Sequence, residues 1–160
     1  MSEGKLLQNT KGKPMTTTYR TDFYVWTQRQ ADLLRNEDYA DLDLPNLIEE
    51  IEALGASERR ELKSRLTTIL EHMLKLTCEP ESRACRKWRR TILTQRITLA
   101  EFLRENYTLR STVADFIPDA YRDARKLAVA GTKCEITAFP TECPWLAAQI
   151  LDEAFMPTAP

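Results

Sequence analysis

The stretch LKSRLTTILEHMLKL, residues 62–76, decides the fold of this chain. Its large apolar residues recur every three or four positions, at Leu62, Leu66, Ile69, Leu70, Met73 and Leu74. That spacing places them along one side of an α-helix, whereas a half-buried strand would alternate apolar and polar residues. The stretch therefore predicts a helix whose apolar side enters a core.

Two helices are predicted before this stretch. The first follows a cap at Thr21 and has one side formed by Phe23, Trp26, Gln30 and Leu33. The second opens at Pro45 behind the acidic cap Asp43 and extends to Gly55, which either breaks the helix or bends it. Its apolar side, which we expect to face the core, contains Leu47, Ile48, Ile51 and Leu54.

Three more helices are predicted after it. A helix over about 81–104 has an apolar side of Cys85, Trp88, Ile92, Leu99 and Leu103. Another, over 109–130, contains Pro118, which should kink or split it, and closes at Gly131. Its apolar side is Val113, Phe116, Ala120, Ala124 and Leu127. A short last helix starts at Pro144 and carries Leu146, Ile150 and Leu151.

Helical signals dominate the chain, and strand patterns are absent from the sequence. Five to six helices with short connections bury their apolar sides most simply as an antiparallel bundle. We therefore predict an all-α fold with one helical domain over residues 19–157. Residues 1–18 are polar and are predicted to form a flexible N-terminal arm.

Composition limits the possible functions. The 160 residues carry 23 basic and 24 acidic side chains, a net charge of -1, so the whole molecule has no bulk attraction to nucleic acid or anionic membrane. No apolar run resembles a signal peptide or a membrane-spanning helix. The four cysteines contain no C-x-x-C pair, which excludes a zinc ribbon on spacing. We expect a cytoplasmic protein with free thiols.

Polar residues on the borders of three apolar sides form the first candidate site. They are Glu50, Glu52, His72, Arg89, Gln95 and Arg96. Half-buried charges need partners that offset their desolvation, so we interpret these residues as a structural network between helices. The alternative is a polar pocket that binds a small ligand, or a metal through Glu50, Glu52 and His72. The lone histidine excludes the paired Glu-x-x-His pattern of di-iron bundles.

The run RACRKWRR, residues 83–90, forms the second candidate site. Its outward cations are Arg83, Arg86, Lys87 and Arg90. Nucleic-acid surfaces combine such cations with a stacking aromatic, but Trp88 belongs to the apolar side. Residues 37–58 form an opposite, acidic block without a single base. The two blocks can therefore pair within the chain, which makes nucleic-acid binding the less favoured alternative.

Nothing in the sequence points to a reaction or a cofactor. The G-x-S-x-G nucleophile motif is absent, and four glycines leave no phosphate-cradling loop. We expect no cofactor and no enzymatic activity. The leading hypothesis is an interaction or scaffold domain that binds an unknown protein or a second copy of itself, and that does not engage a membrane.

Several blocks of the chain, in order, resemble one bacterial family. They are TDFYVWTQRQADLL (21–34), NLIEEIEALGASERRELKSRL (46–66), HMLKL (72–76), the pattern W-x2-T-I-x2-Q-R from Trp88 to Arg96, FPTECPW (139–145) and ILDEAFMP (150–157). Together these blocks resemble the domain-of-unknown-function family 29. The resemblance implies a small helical protein without an assigned activity, and it supplies no catalytic residues. Pro118 departs from the uninterrupted helix that the family implies at this place.

Overall fold

The computed structural model describes residues 15–158, and this part of the chain contains α-helices and short 3-10 turns but no strand. The all-α prediction is thereby confirmed. The six α-helices are α1 (Met15–Thr21), α2 (Phe23–Arg35), α3 (Leu44–Cys78), α4 (Cys85–Glu105), α5 (Tyr107–Ala130) and α6 (Ala147–Leu151). The 3-10 turns are Tyr39–Asp41 and Ile136–Ala138. The chain divides at Gly55 into an N-terminal unit, Met1–Gly55, and a C-terminal unit, Ala56–Pro160.

Several predicted helix boundaries differ from the observed ones. Helix α1 begins inside the segment 1–18 that was predicted as an arm, and residues 1–14 of that segment lie outside the described residues. The cap of α2 is Asp22 rather than Thr21, because the Asp22 carboxylate accepts a hydrogen bond from the Val25 N–H. The last helix begins at Ala147, three residues after the predicted start at Pro144.

Buried polar groups fasten the start of α3 to α2 in the N-terminal unit. The Trp26 indole N–H donates to the Asp43 carboxylate over 3.1 Å, and the Asp43 backbone N–H donates to the Gln30 side-chain oxygen over 2.8 Å. Asn46 donates to the same carboxylate over 2.7 Å. All three of Trp26, Gln30 and Asp43 are buried. These bonds satisfy groups that would otherwise be costly to bury, and they confirm the inward side predicted for α2 at Trp26 and Gln30.

The predicted core side of the following segment was wrong. Ile48, Ile51 and Leu54 are 55%, 65% and 66% exposed, and Leu44 is exposed as well. Helical periodicity locates an apolar side, but it does not show whether another element of the chain covers that side. Gly55 neither breaks the helix nor caps it, since α3 continues through it to Cys78.

The core of the C-terminal unit lies between α4, α5 and the part of α3 that begins at Ala56. The predicted apolar side of residues 62–74 is buried, as are Trp88, Ile92, Leu99 and Leu103 of α4. Arg65 of α3 donates to Thr98 of α4 over 2.6 Å, and Asn106, which follows α4, donates to Glu58 over 3.3 Å. Earlier positions of α3 thus meet later positions of α4, so the two helices are antiparallel.

Helix α5 completes the bundle. Only Asn106 separates it from α4, so the chain reverses and α5 runs alongside α3, where Lys63 forms an ion pair with Asp123 over 2.7 Å. This ion pair lowers the pKa of the Asp123 carboxyl. Pro118 lies inside α5 without splitting it, between the buried residues Ile117 and Ala120. Packing of both neighbours against the core offsets the backbone hydrogen bond that a proline cannot donate.

The cysteines do not all remain free thiols as predicted. A disulfide joins Cys78, at the end of α3, to Cys134, which follows α5, with a Cα–Cα distance of 6.5 Å. Cys85 and Cys143 are free. The pairing links residues 56 positions apart, so only the packing of α3 beside α5 brings the two sulfur atoms together. Among the described helices, none is long and apolar enough to cross a membrane.

Gly55 provides a test of the continuous helix. A Cβ added at Gly55 meets no atom within 4 Å, and the residue lies in a helix interior, so Gly55→Ala should raise the free energy of unfolding by about 1 kcal/mol. Gly131→Ala is the comparison variant, because Gly131 follows the end of α5 and its Cβ would have to displace the end of the Lys75 side chain, so this variant should show no such gain. Urea denaturation measures both changes. A destabilised Gly55→Ala variant would contradict a helix that continues through this position.

Candidate functional site

A basic groove lies along the outward side of α4. We define the groove by its lining residues, which enclose a volume of about 670 Å³: Arg83, Arg86, Lys87, Arg89, Arg90, Leu93 and Met156. The five cations are exposed, as predicted for the four outward residues of the 83–90 run. Helical geometry explains this arrangement, because Trp88 and Ile92 turn toward the core and leave Arg86 and Arg90 on the opposite side.

The cations of the groove have no partners within residues 15–158. The ion pairs of this part of the chain involve other residues, and no hydrogen bond from the five basic side chains is formed there. The positions of Arg86 and Lys87 are also unfavourable for the helix itself. They occupy the first turn of α4, which contains no acidic residue, and the macrodipole disfavours positive charge at a helix N-terminus. The stability of the isolated domain therefore does not explain why Arg86 and Lys87 occupy these positions.

The groove has an apolar part but no stacking aromatic. Leu93 lies one turn beyond Arg89 and Arg90 and is partly exposed, and Met156 approaches it from the C-terminal segment. Trp88, the aromatic of the basic run, is only 7% exposed and belongs to the core. The surface therefore offers cations beside aliphatic side chains, without the exposed ring that base stacking requires.

The two carboxylates of the predicted polar cluster lie in the N-terminal unit, and the other four residues lie in the C-terminal unit. Glu50 is half-buried and accepts a 2.6 Å hydrogen bond from the Tyr19 hydroxyl, which raises the pKa of Tyr19 to about 12. Glu52 is exposed. A single site formed by all six residues stays a prediction.

Arg96 is the structural member of the predicted cluster. The sequence places it at the edge of the apolar side, but it is buried, with 1% exposure. Its guanidinium donates to the carbonyls of Gln149 (3.2 Å), Ile150 (2.8 Å) and Phe155. Two of these carbonyls lie in the last turn of α6, where backbone acceptors lack helical partners. Burial has the largest effect and lowers the pKa of Arg96 below its usual value, and the nearby Asp152 and Glu153 offset only part of this shift.

The remaining cluster residues lie in separate surroundings. His72 is half-buried and its Nδ1 lies 3.0 Å from the Thr68 carbonyl, within the same helix. Gln95 is half-buried, and Arg89 is exposed and lines the basic groove. Within the described residues, no three His, Cys, Asp or Glu side chains converge as metal ligands would. The only predicted cluster residue in the basic groove is thus Arg89.

Comparison with known proteins agrees with the architecture. Residues 18–156 match the family model described as Domain of unknown function DUF29. The chain belongs to this family. This chain is also similar to a solved structure, an alpha-helical protein of unknown function from Rhodospirillum rubrum, with 27% sequence identity and a TM-score of 0.55. The match covers 86% of this chain and 91% of the Rhodospirillum rubrum chain. The search of curated proteins found no match to this chain.

A second cavity lies near the disulfide of the DUF29 chain. It has a volume of about 490 Å³, and its lining includes Leu74, Cys78, Phe139 and Trp145. No charged side chain lines it, and none of the predicted cluster residues reaches it. Sequence reasoning missed this cavity, because its walls come from α3 and from two loops after α5 whose packing no local pattern reveals.

Arg96 gives a direct test of its structural role. Arg96→Met would remove the donor to three carbonyls, one buried and two part-buried, and should lower the free energy of unfolding by about 3–5 kcal/mol, while Arg96→Lys should have a smaller effect. Arg89→Met, on the same helix but exposed, should change stability by less than about 0.5 kcal/mol. Urea denaturation followed by circular dichroism measures all three. Equal midpoints for Arg96→Met and Arg89→Met would refute the role.

Proposed function

We propose that this protein is a non-enzymatic interaction domain whose basic groove binds an acidic segment of a protein partner. The observation that carries the proposal is the set of five exposed cations without partners around one concavity. Arg96 and Glu50, by contrast, are engaged by neighbouring groups of the chain, which supports a structural role for those members of the predicted cluster.

The chemistry of the groove favours a protein segment over nucleic acid. Cations attract carboxylates and phosphates alike, but Leu93 and Met156 add aliphatic surface that suits apolar side chains of a partner. Nucleic-acid recognition would gain from an exposed aromatic, and Trp88 is buried. An amphipathic helix with carboxylates beside aliphatic residues fits both parts of the groove.

Fluorescence anisotropy with labelled peptides tests the proposal. The probe is a synthetic helical peptide with leucines along one side and glutamates on both borders. It should bind the full chain at about 50 mM salt and more weakly at about 300 mM, because salt screens exposed charges. Arg86→Glu combined with Arg90→Glu should weaken binding by about tenfold or more. The matched control combines Arg104→Glu with Arg110→Glu, which makes the same charge change outside the groove.

Two comparison ligands decide between partner classes. A second peptide with serine in place of leucine should bind more weakly than the first, since it keeps only the electrostatic part of the interaction. Single- and double-stranded oligonucleotides should bind no more tightly than the glutamate–leucine peptide. Tighter, salt-sensitive oligonucleotide binding that the Arg86→Glu and Arg90→Glu changes abolish would instead identify the groove as a nucleic-acid site.

We further propose that the protein is bacterial and cytoplasmic. The similarity to the Rhodospirillum rubrum structure supports the first part, and the free thiols Cys85 and Cys143 support the second. In a reducing cytoplasm the Cys78–Cys134 bond would be opened, because glutathione and thioredoxin systems keep most protein thiols reduced.

Thiol counting in acid-quenched cells tests the cytoplasmic location. Alkylation followed by intact-mass measurement should find all four cysteines modified, and protein oxidised after purification should show only Cys85 and Cys143 modified. The Cys78→Ser variant controls for the assignment, since it cannot form the bond. Two protected cysteines in quenched cells would place the protein in an oxidising compartment.

A further inference from the structure

We infer that the partner of the basic groove is a second copy of this chain, which inserts the exposed apolar side of its residues 44–54. We use the term acidic stripe for the apolar residues Leu44, Ile48, Ile51 and Leu54 together with two carboxylates, Glu52 of α3 and Asp41 of the 3-10 turn that precedes α3. The inference rests on the proposed function, because it names the protein segment that the groove binds.

The apolar part of the acidic stripe has the pattern of a helix that binds in a groove. Its four residues are spaced by four, three and three positions, which aligns them along one side of α3. All four are about half exposed or more. Soluble proteins rarely expose a contiguous row of large aliphatic side chains, and such a row marks an interaction surface.

The charges of the acidic stripe make it a suitable ligand for the basic groove. Residues 37–58 contain no basic side chain, and Asp41 and Glu52 are exposed without an ion pair in the described part of the chain. Glu52 lies on the border of the apolar row, one turn after Ile48. The acidic stripe therefore complements both the charge and the apolar part of the basic groove. Its carboxylates would approach Arg86 and Arg90, while its aliphatic side chains would approach Leu93.

Exposed aliphatic residues continue along α4 beyond the basic groove. Ile97 lies one turn beyond Leu93 on the same outward side and is 42% exposed. The outward side of α4 thus passes from cations at its start to exposed aliphatic residues farther along. Because every chain carries one acidic stripe and one basic groove, two copies can each provide a surface for the other.

Sedimentation velocity of the full chain tests whether copies associate. We expect a species of at least twice the 18.5 kDa chain mass at low salt, with dissociation as salt screens the charges. Ile51→Ser should shift the population to monomer. Ala53→Ser is the matched control, since Ala53 is exposed on the opposite side of α3, and it should leave association unchanged. A chain that is monomeric at all salt concentrations would overturn the inference.

A charge exchange identifies which surfaces meet. One variant carries Asp41→Lys and Glu52→Lys, and the other carries Arg86→Glu, Lys87→Glu, Arg89→Glu and Arg90→Glu, which turns four of the five groove cations into carboxylates. Each alone should be monomeric, because its stripe and groove then bear charges of the same sign. A mixture of the two should associate again, since both contacts between unlike chains become complementary. Association of the groove variant alone would show that stripes pair with each other and would refute docking in the groove.

The outcomes separate this inference from the proposed function. If the chain stays monomeric but the glutamate–leucine peptide still binds the groove, the self-association fails while the interaction domain stands. If the chain associates through stripe contacts and the peptide does not bind, the proposed use of the groove fails. Circular dichroism of every variant verifies that the substitutions, all of them at exposed positions, preserve the helical fold.

Discussion

The C-terminal unit depends on the guanidinium of Arg96. Carbonyls from the chain after α5 converge on this one side chain of α4, and Met73 of α3 lies beside it at 3.7 Å. A buried charge is tolerated only when enough acceptors surround it, so the arginine and the C-terminal segment must be placed together. The position of Met156, one residue after the Phe155 carbonyl that Arg96 binds, follows from this clamp, and Met156 forms part of the basic groove.

The two candidate surfaces contrast with the packed interior. Inside the C-terminal unit, apolar side chains and the Lys63–Asp123 ion pair join α3 to its neighbours. On the outside of α4, cations gather at a helix N-terminus that would favour acids. Residues 44–54 present a row of exposed aliphatic side chains. Both features are unfavourable in an isolated chain, and binding would compensate for them.

The disulfide is a second constraint on the C-terminal unit, and it depends on the oxidation state of the cysteines. The Cys78–Cys134 bond ties the end of α3 to the residues after α5. Tyr121 holds the adjoining loop through a 3.0 Å hydrogen bond to the Pro140 carbonyl, and burial raises its pKa to about 12. Arg125 donates to the carbonyls of Ile136 and Phe139 in the same loop. The loop therefore keeps side-chain contacts to α5 that do not depend on the disulfide.

The sequence by itself determined that the chain is helical and roughly where α2, α4 and α5 lie, because each helical turn depends on neighbours three or four residues away. It revealed neither α1 nor the continuity of α3 through Gly55. Periodicity identified the buried side of residues 62–74, the inward side of α4 and the outward cations of the 83–90 run. Family membership also followed from blocks that are visible in the sequence. Only the tertiary structure decided which polar residues are buried and which apolar residues remain uncovered. Arg96 needs carbonyls more than fifty residues away, and Cys78 needs Cys134, while Ile51 and Leu54 find no cover in the described chain. These outcomes depend on contacts between distant segments, and local spacing carries no information about such contacts.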